Sequence, residues 1–233
     1  MLYKIINFLK NLSKKEEKTI HVEIVAVEEP KKERTYLDYD WTPVVEFETG
    51  GKAYYEKFLK KMTWPKGESG ITMGIGADLG YMTKEEFEKF FSKYFTKKQC
   101  ERLNDVIGLK GESAKNALSK VKDIELSWDN AYKAFIEWTL PKFWKMTSDL
   151  WVGLDKLKEP AQIALVSIVF NRGSATKGPS RVEMVNIKPY VMCQNYNAIA
   201  KEIRSMKRLW ADKGLDGLLK RRDAEAKMVE DCA

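Results

Sequence analysis

From Glu48 onward, apolar positions fall at helical spacing between short polar breaks. Tyr54, Tyr55, Phe58, Leu59 and Met62 occupy i, i+1, i+4, i+5 and i+8, one face of a helix that Trp64-Pro65-Lys66-Gly67 ends. Residues 70–76 read as a short strand or hairpin. Thr83-Lys84-Glu85-Glu86 is a capping box that opens a helix carrying Phe87, Phe90, Phe91, Tyr94 and Phe95. Thr96-Lys97-Lys98-Gln99 is another helix start. Ser127-Trp128-Asp129 begins a long helical pattern through Tyr132, Phe135, Ile136 and Leu140, which Pro141 is expected to kink or divide. The segment after Glu159-Pro160 is apolar nearly all round (Ala161, Ile163, Ala164, Leu165, Ile168, Val169, Phe170), as a central buried helix would be. Gly173 suits the position just past its end. Two further helices are expected at about 194–210 and 215–230. The pattern predicts an α+β fold, mainly α: a small lobe with a β-hairpin, then a helical lobe. A cleft between lobes suits a polymer substrate.

Residues 1–38 differ in character and read as a charged N-terminal extension to a domain over 39–233. Charged runs at 13–18 and 28–34 flank a β-branched stretch in which Val22, Ile24 and Ala26 would share one strand face. The apolar run Ile5-Ile6-Asn7-Phe8-Leu9 is too short to span a membrane, so no stable membrane insertion is expected. Lysines flank it and no small-residue cleavage site follows, so it does not read as a secretory signal. It fits either a surface-seeking amphipathic helix or a plain extension.

Charge and rare residues then narrow the chemistry. A net charge of +7 points to an anionic partner, nucleic acid or bacterial wall polymer. The lysines and arginines are interleaved with acids, and there is no aromatic-basic or zinc-finger recognition pattern, so nucleic acid is not expected. Cys100, Cys193 and Cys232 are far apart and form no CxxC, which argues against a disulfide framework or a zinc site. The single histidine, His21, lies in the extension. Zinc hydrolases need several histidines, and serine or cysteine hydrolases usually need one beside the nucleophile. Acid–base chemistry is left to carboxylates, with no metal and no cofactor expected.

Glu48, directly before Thr49-Gly50-Gly51, is the leading candidate acid. Glycines there would let a sugar approach closely. Glu46 is its rival. Thr72 lies in the glycine-rich strand, where its hydroxyl can orient a water. Asp78 closes the same stretch. It reads either as the ionised partner of Glu48 or as a turn residue capping the hairpin. Trp64 and Tyr81 suit sugar stacking or packing.

Residues 70–76 (Gly-Ile-Thr-Met-Gly-Ile-Gly), Val169-Phe170-Asn171-Arg172-Gly173 and the terminal Gly217-Leu218-Leu219-Lys220-Arg221-Arg222-Asp223-Ala224-Glu225 carry a family likeness. Over roughly residues 44–230 the chain resembles phage-type lysozymes, and among them the pesticin-like muramidase domain. The resemblance implies a two-lobed lysozyme fold that cleaves the β-1,4 bond between N-acetylmuramic acid and N-acetylglucosamine in peptidoglycan. It implies catalytic roles for Glu48, Thr72 and Asp78. In many phage lysozymes the aspartate precedes the threonine, but Thr63-Trp64-Pro65-Lys66 offers none, and the pesticin-like order assigns Asp78. An arginine of the C-terminal lobe is expected to contact the glutamate: Arg221 first, Arg222 second. Asn171 and Arg172 are expected at the sugar cleft. Inversion is the stereochemistry the likeness favours. The implied place of action is the bacterial cell wall, reached from a host cytoplasm with or without a virion or delivery partner bound through the extension. The competing class is an inactive wall-binding or virion structural protein of the same fold.

Overall fold

A computed structural model describes residues 34–233. His21, the expected strand at 22–26 and the apolar run at 5–9 lie outside the described residues.

The compact unit starts at Arg34 rather than at residue 39. Thr35 caps a single 3-10 turn, Tyr36–Asp38. The Tyr36 ring stacks on Trp144 with centroids 4.2 Å apart, and its carbonyl accepts from Trp41 Nε1 at 2.8 Å. Arg34 pairs with Glu159. Residues 34–38 therefore belong to the domain, because aromatic stacking and a tryptophan hydrogen bond hold them there.

Helix α1 (Thr42–Thr49) starts on a proline in its first turn and ends at Gly50, whose φ of +72° is the left-handed stop that glycine adopts without strain. Helix α2 runs over Lys52–Tyr54 and continues as a π-helical turn, Tyr55–Leu59. Strands β1 (Thr72–Met73) and β2 (Ala77–Asp78) form an antiparallel hairpin in which Thr72 faces Asp78 and Met73 faces Ala77. Gly74 and Gly76 both have positive φ at its tip. Thr63 pairs with the outer edge of β1 through two backbone hydrogen bonds to Thr72.

Helices α3 (Lys84–Phe90), α4 (Lys97–Asn104) and α5 (Gly111–Ala117) complete this lobe. Thr83 and Thr96 both make full capping boxes. The hairpin residues Ile71, Met73 and Leu79 pack with Phe87, Phe91, Leu103, Val106 and Ile124 in one core.

Helix α6 (Trp128–Ala134), capped by Ser127, passes through a π-helical turn, Phe135–Thr139, into α7 (Leu140–Leu150). Pro141 sits in the first turn of α7, where its missing N–H is tolerated, so the proline divides the run without ending it. Helix α8 (Glu159–Arg172) is buried along most of its length. Helices α9 (Val182–Met192), α10 (Tyr196–Ser205) and α11 (Asp216–Glu230) wrap it, giving a core that includes Trp151, Leu165, Ile168, Ile187, Ile203 and Val229. A third cluster joins the two. Trp41, Val44 and Val45 of the α1 region meet Ile75 of the hairpin tip, Phe135, and Ile163 and Val166 of α8. Burial of side chains such as Val44 and Val45 is worth roughly 1.5–3 kcal/mol each. That anchoring holds the end of α1, and with it Glu48, where the two lobes meet. The fold is mainly helical with one small antiparallel sheet. No helix among the described residues is long and apolar enough to cross a membrane.

Candidate active site

Glu48 is the penultimate residue of α1, ahead of the glycine pair and of α2. The glycine pair after it turns the chain from α1 into α2. A Cβ on Gly50 would lie 3.3 Å from the Tyr54 ring, and Gly51 has a φ of +89°. These glycines serve the tight helix-to-helix turn. The rival Glu46 is exposed, with its carboxyl near Gly51.

Two depressions meet at Glu48. One, of about 190 Å³, is lined by Glu48, Thr49, Leu59, Thr63, Thr72, the turn residues Gly74, Ile75 and Gly76, and Phe170. The other, of about 410 Å³, lies between Glu48 and Phe47 on one side and Asn171, Gly214, Leu215 and Arg221 on the other. The Glu48 side chain is 28% exposed. It is the carboxylate common to both linings.

Arg221 holds it from across the cleft. Its Nη1 donates to Glu48 Oε1 at 2.5 Å. Glu48 Oε2 has no partner among the described residues. Arg221 is 4% exposed, and every donor nitrogen it has is engaged. Nε donates to Glu225 Oε1 at 3.0 Å, and Nη2 donates to the carbonyl and the hydroxyl of Ser167. The Phe47 ring lies 5.1 Å from the guanidinium. Glu225 is fully buried. Its Oε1 also accepts from Ser167 Oγ at 2.5 Å and from Arg222 Nη2 at 2.7 Å. Burial pushes the Glu225 carboxyl up from its ordinary range, against the pull of Arg222 and Arg221. Burial likewise pushes Arg222 down. The i, i+4 spacing of Arg221 and Glu225 on α11 builds this lock from one helix.

The hairpin wall is neutral. Thr63 and Thr72 are paired neighbours on it, and Thr49 adds a third hydroxyl, whose Oγ1 donates to the Val45 carbonyl at 2.8 Å.

Two expected site residues lie elsewhere. Asp78 is across β1 from Thr63 and outside both linings. Its Oδ1 accepts from the Gly80 amide at 2.7 Å and the Gly70 amide at 3.1 Å, and its Oδ2 accepts from Gly70 at 3.2 Å. Gly70 and Gly80 are packed so closely that a Cβ on Gly70 would lie 2.3 Å from Asp78 Oδ1. Asp78 therefore caps the 3-10 turn Leu79–Tyr81 that follows β2 and ties it to Gly70 ahead of β1, a capping role close to the other of its two sequence readings. Arg172 turns away from the cleft. Its Nη2 donates to the Ser180 carbonyl and its guanidinium faces Trp210, while its neighbour Asn171 does line the cleft. Arg222, second candidate for the glutamate contact, is buried against Glu225. Trp64 donates through Nε1 to the Ser69 carbonyl and packs at the edge of the hairpin-lobe core. Tyr81 is exposed beneath Lys110, outside both linings. Glu48, Thr72, Asn171 and Arg221 are brought together. Thr63, Thr49, Phe170 and Ser167 join them without having been singled out. Thr63 had one legible signal, a β-branched residue just before the Trp64-Pro65 break. Among the described residues no group of three or more His, Cys, Asp or Glu is placed to hold a metal, and no two cysteines are bonded.

A search of curated proteins gives no match. Residues 44–142 match a family model described as a domain of unknown function (DUF8812), a span that takes in Glu48, Thr63, Thr72 and Asp78 and stops short of Asn171 and Arg221.

Proposed function

We propose that this protein is a glycoside hydrolase of muramidase type, with Glu48 as general acid. The observation that carries the reading is the Arg221–Glu48 contact at the junction of two depressions. The carboxyl is oriented by a fixed guanidinium, keeps one oxygen free, and sits where a bound glycan would cross. The resemblance to phage-type lysozymes and the +7 charge, suited to an anionic wall, support peptidoglycan as the polymer.

In this reading Glu48 donates its proton to the glycosidic oxygen as the C–O bond breaks. Negative charge then develops on Glu48 beside Arg221, which stabilises it. A water held by the Thr72 and Thr63 hydroxyls attacks the anomeric carbon from the hairpin side and releases its proton to solvent. Asp78 spends its oxygens on backbone amides, so attack by water, hence inversion, suits the site better than a covalent glycosyl–Asp78 intermediate. Asn171 and the Gly214–Leu215 edge would bind sugar beyond the acid.

The lone carboxylate in the lining also favours a second reading, a wall-binding protein of lysozyme-like form that does not hydrolyse. Digestion of purified sacculi separates the two. The hydrolase releases muropeptides with new N-acetylmuramic acid reducing ends, and Glu48→Gln lowers that rate about 10²–10⁴-fold at unchanged melting temperature. Sedimentation of the wild-type protein with sacculi, with no soluble product, would establish the binding protein instead.

A further inference from the structure

The helical lobe carries guanidinium groups that its carboxylates do not satisfy. Arg208 is paired with Glu183, and Arg222 shares Glu225 with Arg221. Arg181, in the 3-10 turn Pro179–Arg181 ahead of α9, has no side-chain hydrogen bond or ion pair among the described residues. Four donor atoms are buried without a partner among the described residues: Nη1 of Arg172, Nη1 of Arg181, and Nε and Nη1 of Arg222. The groups come from the end of α8, the turn before α9, and α11. Arg172 and Arg222 lie 5.2 and 5.7 Å from the Trp210 ring centroid. Burial and then the charges of Arg181 and Arg222 push Arg172 down to about 10, with Glu183 opposing and Arg208 adding to the push. A guanidinium so placed stays charged at neutral pH, so it cannot relieve the crowding by losing its proton. Buried donors left without acceptors are destabilising, and native proteins satisfy them with water or ions.

We propose that Arg172, Arg181 and Arg222 form a binding site for a small phosphate-like oxyanion. Planar guanidinium forks match the oxygens of such an ion. Arg222 is fully buried while Arg172 and Arg181 are partly exposed, so an ion would enter on the side of those two and must be small. A water between Arg222 and the unpartnered Glu225 Oε2 is the rival account. It would satisfy Arg222 and leave Arg172 and Arg181 repelling each other.

The test uses the full chain and needs no glycan, so it stands apart from the hydrolase reading. Thermal unfolding is followed against sodium phosphate, with sodium chloride at matched ionic strength as reference, and phosphate binding is measured by calorimetry. The wild-type protein should show a saturable rise in melting temperature with phosphate. Arg181→Gln should bind phosphate at least tenfold more weakly. In chloride it should melt at or above the wild-type temperature, because it removes an unpaired like charge. Lys145→Gln, an exposed control, should behave as wild type. The site is overturned if phosphate acts no differently from chloride, if Arg181→Gln keeps the full response, or if Arg181→Gln melts lower than wild type in chloride.

Discussion

The two walls that meet at Glu48 are built from opposite materials. The helical wall is ionic and buried: Arg221 is fixed by Glu225 and Ser167, and reaches out to one oxygen of Glu48. The hairpin wall is neutral and made largely of backbone: paired threonines and two glycines with positive φ, backed by an aspartate outside the lining whose oxygens accept amide N–H groups. Sequence reasoning puts forward two carboxylates as catalytic, Glu48 where the walls meet and Asp78 behind the hairpin wall, outside both linings. The difference lies in what binds their oxygens. A side chain from across the cleft orients Glu48 and leaves an oxygen free. Local amides take up Asp78 and make it part of the turn.

Variants that attack each wall sharpen the contrast. The largest stability effect is expected from Glu225→Ala, which leaves Arg222 buried without a counter-charge and Arg221 with Glu48 alone. Loss of one partner of a buried ionic group costs about 3–5 kcal/mol. Urea unfolding should show that loss, and 1 M salt should not restore it. On the hairpin wall, Asp78→Ala removes the acceptor of the Gly70 and Gly80 amides and should cost about 1.5–3 kcal/mol by the same measurement. Activity per folded molecule should survive. Thr72→Val keeps shape and β-propensity but removes the hydroxyl that, in the proposed mechanism, positions the attacking water. We expect the hydrolysis rate to fall about tenfold, near 1.4 kcal/mol in the barrier, with little change in melting temperature.

The smallest effects should come from exposed ion pairs. Arg102 holds the Asp123 carboxyl below its usual range, and Arg204 does the same for Glu230. Because these folded-state values are depressed, the stabilisation is present above the unfolded value of about 4 and is lost as pH falls through the lower folded values. Acid titration of stability should show that slope. Asp123→Asn should flatten it slightly, and salt should screen it.

Much of this architecture was legible where one local device decides the structure. The capping threonines Thr83 and Thr96, Ser127 before α6, the all-apolar α8 and Gly173 at its end each combine a propensity with a pattern, and each helix starts as read, although the one after Thr83 ends at Phe90 and a 3-10 turn, Ser92–Tyr94, takes over before Phe95. Helix α1 was not legible. Its eight residues include Pro43 and four β-branched side chains beside the glycine pair, and burial of Val44 and Val45 between lobes is what makes it a helix. Helix α9 was hidden by Pro189 in its interior. At the site, the residue types and order pointed to Glu48, Thr72, Asn171 and Arg221. The roles of Asp78 and Arg172 depended on which nearby backbone groups faced them. Asp78 meets the Gly70 amide only because two glycines allow the chain to close that tightly. No spacing in the sequence announces such a contact.

In the proposed mechanism Glu48 does the chemistry, while Asp78 builds the turn after the hairpin. The most direct test is the rate of reducing-end release from purified peptidoglycan by Glu48→Gln and Asp78→Asn, compared with wild type per folded molecule. A loss of about 10²–10⁴-fold is expected for Glu48→Gln, and a rate for Asp78→Asn within a few-fold of wild type. A folded Glu48→Gln protein that still releases product at the wild-type rate, or a folded Asp78→Asn protein as inactive as Glu48→Gln, would contradict it.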